Sequence, residues 1–95
     1  MSALIIVDIE VHDPVRYEDY KRLASAAIAA HGGKYLVRGG PTEVLDGNWT
    51  PRRLVVLEFE SVEKAKAWRH SPEYAEAIKI RDTCARANMI VAEGM

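Results

Sequence analysis

Hydrophobic and polar positions alternate along two stretches of the chain. In residues 3 to 11 the odd positions are all apolar, whereas the even positions become acidic from Asp8 onward. Residues 54 to 60 repeat this pattern, with apolar odd positions and with even positions that become acidic from Glu58 onward. Alternation with a period of two places the two sets of side chains on opposite faces of a β-strand, so both stretches are predicted to be strands with one fully apolar face. The uniformly apolar odd positions are Ile5, Val7, Ile9, Val11, Val55, Leu57 and Phe59.

Two other segments have apolar residues at helical spacing. The first begins at Asp13-Pro14, a capping residue followed by proline at the first helical position, and ends at Gly32-Gly33. The second begins at Ser61, restarts at Ser71-Pro72 and runs to about Cys84. Both segments are therefore predicted to be amphipathic helices. The predicted inner face of the first helix consists of Tyr17, Tyr20, Leu23, Ala24, Ala27 and Ile28.

Short strands are also predicted for residues 34 to 39 and 88 to 94, with a turn-rich segment before the third strand. The order strand, helix, strand, strand, helix, strand predicts an α+β fold of the ferredoxin-like βαββαβ type, in which the helices cover one face of an antiparallel sheet. An apolar patch on the uncovered face would favour pairing with a second copy of the chain, as a dimeric α+β barrel around a partly polar cavity. The apolar residues of that face are Leu4, Ile6, Leu54 and Val56.

The chain length and charge narrow the range of functions. Ninety-five residues predict a single domain over residues 1 to 95. The 13 Lys and Arg residues nearly balance the 14 Asp and Glu residues without forming like-charged blocks, which argues against binding to nucleic acid or to a membrane surface. The lone Cys84 excludes an internal disulfide, and the short apolar run at the N-terminus lacks the features of a signal peptide. We therefore expect a cytoplasmic protein.

Arg38, Glu58 and Asp8 form the first candidate site. If the hairpin reverses between Asp46 and Trp49, Arg38 lies opposite Glu58, and Asp8 lies one strand further along the open face. A guanidinium there would bind a substrate carboxylate or enolate, and a carboxylate would transfer the proton. The alternative is an ion pair that fixes the strand register or contacts the second copy.

Tyr17, Tyr20 and Tyr74 form a second group, on the predicted helices. Their hydroxyls either donate to a substrate oxygen or complete the hydrophobic core. Arg81 either binds an anion or caps carbonyls near its helix C-terminus. Trp68 is interpreted as a core residue. No metal site is expected, because none of the histidines are paired at ligand spacing; these are His12, His31 and His70.

Several motifs occur together along nearly the whole chain: "YEDY", "HGGKYLVRGG", "DGNW", "EFES" and "SPEY". In this order they resemble a family of small bacterial proteins known as domain of unknown function thirteen-thirty, of the dimeric α+β-barrel superfamily. The resemblance implies a ferredoxin-like fold, a homodimer and no established activity. Superfamily relatives include cofactor-free monooxygenases, haem-degrading enzymes, lactone isomerases and dehydratases. The polar and aromatic motif positions fall on Tyr17, Tyr20, Arg38, Arg53, Glu58, Ser71, Tyr74 and Arg81.

Two functional hypotheses follow. In the first, the protein is an isomerase or monooxygenase-like enzyme, without metal or organic cofactor, acting on a small anionic or aromatic metabolite in the barrel cavity. Its catalytic candidates are Arg38, Glu58, Asp8 and Tyr20. Its substrate-binding candidates are Tyr17, Arg53, Ser71, Tyr74 and Arg81. In the second, the protein is a non-catalytic metabolite-binding or stress-related accessory protein, and its polar residues are structural.

Overall fold

The computed structural model describes residues 2–95. Four strands and three helices follow one another as β1 (Ala3–Val11), α1 (Pro14–Ala30), β2 (Lys34–Arg38), β3 (Arg53–Phe59), α2 (Val62–Arg69), α3 (Pro72–Cys84) and β4 (Ala85–Glu93). The strands pair antiparallel in the order β2-β3-β1-β4. The predicted ferredoxin-like α+β arrangement is therefore confirmed. Within residues 2–95, no helix is both long and apolar enough to span a membrane.

The helices begin and end at the residues that the sequence indicates. The Asp13 carboxylate accepts hydrogen bonds from the first free backbone amides of α1, and the Ser61 and Ser71 hydroxyls do the same for α2 and α3. Gly32 follows the end of α1 with a φ of +75°, a left-handed conformation that glycine adopts without strain. β4 begins at Ala85, earlier than predicted, because it follows α3 without an intervening loop.

The hydrophobic core lies between the sheet and the helices. The odd positions of β1 from Ala3 to Ile9 and of β3 from Val55 to Phe59 are buried against it, as the alternation predicts. Phe59 and Trp68 stack with ring centroids 5.4 Å apart. Leu23 was predicted on the inner face of α1 but is 36% exposed, because it lies at the margin of the buried stripe.

The other face of the sheet carries an apolar row across all four strands. Ile6 on β1 is paired with Val56 on β3 and with Ile90 on β4, and Val37 on β2 is paired with Val56. We call Val37, Val56, Ile6 and Ile90 the open-face row. No helix of the described chain covers this row, and Ile90 is 60% exposed. An unpaired apolar face of this kind is what the sequence predicts.

An irregularity in β2 changes which side chains face the helices. The register with β3 shifts between Tyr35 and Val37, as at a β-bulge, so that Tyr35 is paired with Leu57 and Arg38 with Val55. Since paired residues of neighbouring strands point to the same face, Tyr35 and Arg38 both lie on the helix side.

The predicted pairing of Arg38 with Glu58 is therefore wrong. Lys34 is the residue opposite Glu58, and its Nζ lies 3.3 Å from Glu58 Oε1. The cause is the position of the reversal, since the chain reverses closer to Asp46 than the sequence suggested. Asp8 is also distant from Glu58, because Glu58 is paired with Leu4, about 13 Å along β1 from Asp8.

Candidate functional site

A cavity of about 30 Å³ lies between α1 and the helix side of the sheet. Its volume accommodates one or two water molecules or a small oxygen-bearing group. The aromatic side chains of its wall are Tyr17, Tyr20, Tyr35, Trp68 and Tyr74. The cationic side chains are Lys21, Arg38 and Arg53. No carboxylate from the described residues lines it; Lys21 pairs with Glu18 outside the wall, with Nζ 2.7 Å from Oε2, whereas Arg38 and Arg53 form no ion pair within residues 2–95.

Arg53 reaches this cavity from the first position of β3. It is paired with Ile9, whose side chain is buried under the helices, and so it lies on the helix side of the sheet. Its guanidinium carbon lies 5.7 Å from the centroid of the Tyr17 ring. Its Nε is buried and has no hydrogen-bond partner among residues 2–95. The guanidinium therefore has donor capacity directed at buried space.

Gly39 allows Arg53 to occupy this position. Gly39 has a φ of +71°, and its backbone amide donates to the Leu54 carbonyl at 2.8 Å. A Cβ at residue 39 would collide with Nη1 of Arg53. The glycine thus gives the guanidinium room against the backbone at the end of β2.

The hydroxyls of Tyr20 and Tyr74 form a buried hydrogen bond of 2.7 Å, and Nη1 of Arg81 lies 3.5 Å from the Tyr74 oxygen. When Tyr74 donates to Tyr20, the Tyr20 hydroxyl is free to donate to an oxygen in the cavity. Burial raises the pKa of Tyr20 far above its ordinary value. Burial also raises the pKa of Tyr17, against the opposing effect of the Arg53 charge. Both hydroxyls are therefore donors at neutral pH.

Trp68 is a core residue, as predicted, but it also lines the cavity. Its ring lies 4.3 Å from the Tyr74 ring, and 1% of the residue is exposed. Its Nε1 is buried and has no acceptor among the described residues. This donor was not among the site residues that the sequence predicted. The available signal was that a tryptophan on an inner helix face brings an N–H that needs an acceptor.

Arg38 lies beside the cavity and is exposed to solvent. Its guanidinium carbon is 4.4 Å from the centroid of the Tyr35 ring, and Nη2 donates to Ser25 Oγ at 3.0 Å. Ser25 Oγ in turn forms a 3.0 Å hydrogen bond with the Tyr35 hydroxyl. Because Arg38 is exposed and Lys21 is half-buried, the cavity opens to solvent on their side.

Asp8 and Glu58 lie on the opposite face of the sheet. Asp8 accepts hydrogen bonds from Trp49 Nε1 and from the Arg52 amide, each at 2.9 Å, and so fixes the loop of residues 39–52. Glu58 contacts Lys34. The predicted cluster of Arg38 with these two carboxylates therefore does not form, because the bulge turns Arg38 to the helix side.

Ser71 positions two cavity residues without reaching the cavity itself. Its hydroxyl accepts from the Tyr74 amide at 3.2 Å and donates to the Trp68 carbonyl at 2.7 Å. The hydroxyl thus joins the end of α2 to the start of α3. Cys84 is buried, and its Sγ donates to the Ile80 carbonyl at 3.3 Å. Across the described chain, no three His, Cys, Asp or Glu residues cluster as metal ligands.

Comparison with solved structures supports the fold. A crystal structure of RPA0582, a protein of unknown function from Rhodopseudomonas palustris, superposes with a TM-score of 0.79 at 18% identity over 99% of this chain and 82% of that one. A dimeric ferredoxin-like protein of unknown function from Bacteroides fragilis gives 0.68 at 18% identity, over 98% and 96%. SnoaB from Streptomyces nogalater, a cofactor-independent oxygenase, gives 0.67 at 11% identity, over 99% and 93%.

Identities this low establish a shared ferredoxin-like fold and leave the chemistry to the site. A comparison with curated proteins gives no match. The family model described as a domain of unknown function, DUF1330, matches residues 2–95, which is nearly the whole chain. The resemblance seen in the sequence motifs is thereby confirmed, and the chain belongs to the DUF1330 family.

Proposed function

We propose that the cavity beneath α1 binds the anionic oxygen of a small aromatic or enolisable metabolite. We further propose that the protein is an enzyme that acts on this metabolite without a metal or organic cofactor. One observation carries the proposal: Arg53 and Trp68 both line the cavity, and Arg53 Nε and Trp68 Nε1 are buried and lack acceptors within residues 2–95. A buried donor left without a partner costs about 1–3 kcal/mol. A ligand oxygen that accepts a hydrogen bond from either donor would remove this cost for that donor.

The charges of the wall define the ligand class. Lys21, Arg38 and Arg53 line the cavity, and of these three only Lys21 forms an ion pair within the described chain, with Glu18. Cations within a few ångströms favour the ionised form of a bound acid, so they would lower the pKa of an enol or a phenol. The cavity volume of about 30 Å³ is enough for the oxygen-bearing group of the ligand, so its aromatic body would lie at the opening, beside Lys21, Tyr35 and Arg38. A carboxylate, enolate or phenolate attached to an aromatic body meets all of these conditions.

Stabilisation of an enolate supports two reactions. In an isomerisation, a proton leaves one carbon and a proton is added at another. In an oxygenation, the ionised substrate supplies the electrons to O₂, forms a C–OOH group and then loses water to leave a carbonyl. The similarity to a structure described as a cofactor-independent oxygenase supports the second reaction. In either case Arg53 and Tyr20 would stabilise the oxyanion as preorganised donors, and Tyr74 would position Tyr20.

Phenylpyruvate is a suitable probe, because it combines a carboxylate, an aromatic ring and an enolisable carbon. We expect the wild-type protein to bind it saturably and to accelerate either its keto–enol interconversion or its consumption of O₂. Arg53→Met should weaken binding about tenfold or more, the cost of losing a charged hydrogen bond. Arg52→Met is the matched control, because Arg52 is exposed and pairs with Glu10 on the other face. Equal binding by the two variants would refute the proposed site.

Binding without turnover is the second candidate function. Two observations favour it: the cavity has a volume of only about 30 Å³, and its described wall offers no carboxylate base. In the same experiment this function predicts saturable binding that depends on Arg53, with both the keto–enol rate and the O₂ uptake unchanged from buffer.

We also propose that the protein is a homodimer that pairs through the open-face row. The row crosses all four strands and lacks a covering element within the described chain. A solved structure with this fold is described as dimeric, which supports the proposal.

A further inference from the structure

A second cleft, of about 380 Å³, lies outside the cavity described above. It is bounded by α2, α3, the edge strand β4 and one residue of β1. Its cationic or ionisable side chains are Lys66, Arg69, His70 and Arg81. Its apolar residues are Ile5, Ala65, Ala87, Met89, Ile90 and Val91. No acidic residue of the described chain lines it.

Arg81 is the most deeply placed of these charges. Only 11% of its side chain is exposed, and its Nε is buried without a hydrogen-bond partner among residues 2–95. Its Nη1 lies 3.5 Å from the Tyr74 hydroxyl, at the limit of a hydrogen bond. The nearest carboxylate, on the exposed Asp82, is 4.0 Å from Nη2. A buried guanidinium with so few hydrogen bonds is energetically costly, and a bound anion would stabilise it.

Arg69 brings a second guanidinium to the same ring. Its central carbon lies 5.5 Å from the centroid of Tyr74, whose hydroxyl contacts Arg81. No ion pair within the described residues includes Arg69, Lys66 or His70. Two positive charges beside one aromatic ring repel each other unless an anion lies between them.

We propose that this cleft is a binding site for a small carboxylate with an apolar body. The carboxylate would accept hydrogen bonds from Arg81 and Arg69, since a guanidinium donates two parallel bonds to such a group. The apolar body would pack on Met89 and its neighbours on β4. The binding site does not depend on the enzymatic activity, because no residue lines both the cleft and the Arg53 cavity. Tyr74 of the cavity wall contacts the cleft only through Arg81 and Arg69.

Benzoate is the probe, tested by NMR titration of the isotope-labelled full chain in low-salt buffer free of other strong anions. We expect saturable shifts at the amides of Ala65, His70 and Met89. Benzamide has the same shape without the charge, and inorganic phosphate has charge without the ring. Each of these two should bind roughly tenfold or more weakly than benzoate. Equal binding of benzamide would overturn the role of the anion, and equal binding of phosphate would overturn the role of the apolar body.

Arg81→Met keeps most of the side-chain volume and removes the charge, so it should weaken benzoate binding roughly tenfold or more. Arg22→Met is the matched control, because Arg22 is exposed on α1 and pairs with Asp19. If Arg81→Met fails to fold, Arg69→Met makes the same test from the other guanidinium. Arg53→Met should leave the benzoate-induced shifts at the amides of Ala65, His70 and Met89 unchanged, which separates this site from the cavity. Shifts confined to Tyr17 and Arg53, or equal affinity in Arg81→Met and wild type, would overturn the proposal.

Thermal unfolding provides a second readout. Without benzoate at low salt, Arg81→Met should have a melting temperature equal to or above that of wild type, because the substitution relieves the repulsion between the guanidiniums. Added benzoate should raise the melting temperature of wild type and of Arg22→Met, and should raise that of Arg81→Met by less. A benzoate-induced rise in Arg81→Met equal to that in wild type would contradict the proposal.

Discussion

Gly39 and Arg53 show how one backbone position determines where a charge lies. Gly39 has a φ of +71°, and a Cβ there would meet the Arg53 guanidinium. Gly40, the next residue, has open space around the corresponding position. Of the two glycines in the "RGG" motif, only the first is therefore required for the geometry of the cavity.

We expect Gly39→Ala to lower the free energy of unfolding by about 1–2 kcal/mol from the left-handed backbone alone. Displacement of Arg53 should also weaken phenylpyruvate binding. Gly40→Ala is the matched control and should change neither property. Urea denaturation and an equilibrium titration measure the two effects. If Gly39→Ala matched Gly40→Ala in both, the geometry described for Arg53 would be incorrect.

The buried tyrosines make stability depend on alkaline pH. Burial raises the pKa values of Tyr17 and Tyr20 in the folded state above the value of about 10 expected when unfolded. The unfolded chain therefore loses these protons first, so the stabilisation is complete below pH 10 and is lost as pH rises beyond it. We expect the free energy of unfolding to fall above about pH 10, and Tyr20→Phe to reduce that slope. An identical slope in Tyr20→Phe, measured by urea denaturation, would contradict the assignment.

At the residue scale, the sequence predicted the identity of several residues around the cavity but not their arrangement. The helical spacing and motifs identified Tyr17, Tyr20, Tyr74 and Arg53, all of which line the cavity. The assumed hairpin register placed Arg38 opposite Glu58 on the open face, whereas the observed register, which shifts within β2, pairs Arg38 with Val55 on the helix side. No hydrophobic pattern in so short a strand indicates such a shift. The Trp68 donor was missed because the hydrophobic pattern requires only an apolar side chain at position 68. It gives no information on the hydrogen bonding of the indole N–H.

At the element scale, Asp8 connects β1 to the loop between β2 and β3. Its two carboxylate oxygens accept from Trp49 Nε1 and from the Arg52 amide. Residues 40–50 of this loop are exposed throughout and contain no helix or strand. The two hydrogen bonds therefore hold a segment that has little other support.

We expect Asp8→Ala to increase loop opening, with chymotryptic cleavage at Leu45 or Trp49 roughly tenfold faster, since bonds to a charged acceptor contribute about 1.5–3 kcal/mol each. Glu58→Gln is the matched control, because Glu58 lies on the same face but pairs with the exposed Lys34. Phenylpyruvate binding should persist in both variants. Equal cleavage rates would show that Asp8 does not hold the loop, and loss of phenylpyruvate binding in Asp8→Ala alone would favour a direct role at the site.

The elements themselves were predictable because their signals are local. Capping residues marked the helix starts at Asp13, Ser61 and Ser71, and alternation marked β1 and β3. The predicted start of β4 was too late. The first residues of that strand include charged and polar side chains and therefore do not form an apolar run. The hairpin register could not be read from the sequence, because a long loop without regular structure allows several reversals.

At the scale of the whole molecule, the fold of one chain leaves unexplained why the uncovered face of the sheet is apolar. Pairing of two copies through the open-face row would explain it. Helices cover one face only, and Ile6 lies at the centre of the other, between Val56 and Ile90. Polar residues flank the row, with Asp8 and Asn88 on one side and Glu58 on the other. An apolar stripe with polar margins has the composition of a protein interface.

We expect the wild-type protein to sediment at twice the 10.6 kDa mass of the chain and Ile6→Lys to sediment as a folded monomer. A lysine at the centre of the row would bury an unpaired charge in the interface, whereas in the isolated protomer its ammonium group would remain in water. Val15→Lys is the matched control, because Val15 is 82% exposed on α1, away from the sheet. Circular dichroism checks that each variant is folded. A wild-type monomer, or an Ile6→Lys protein that remains dimeric, would exclude pairing through this row.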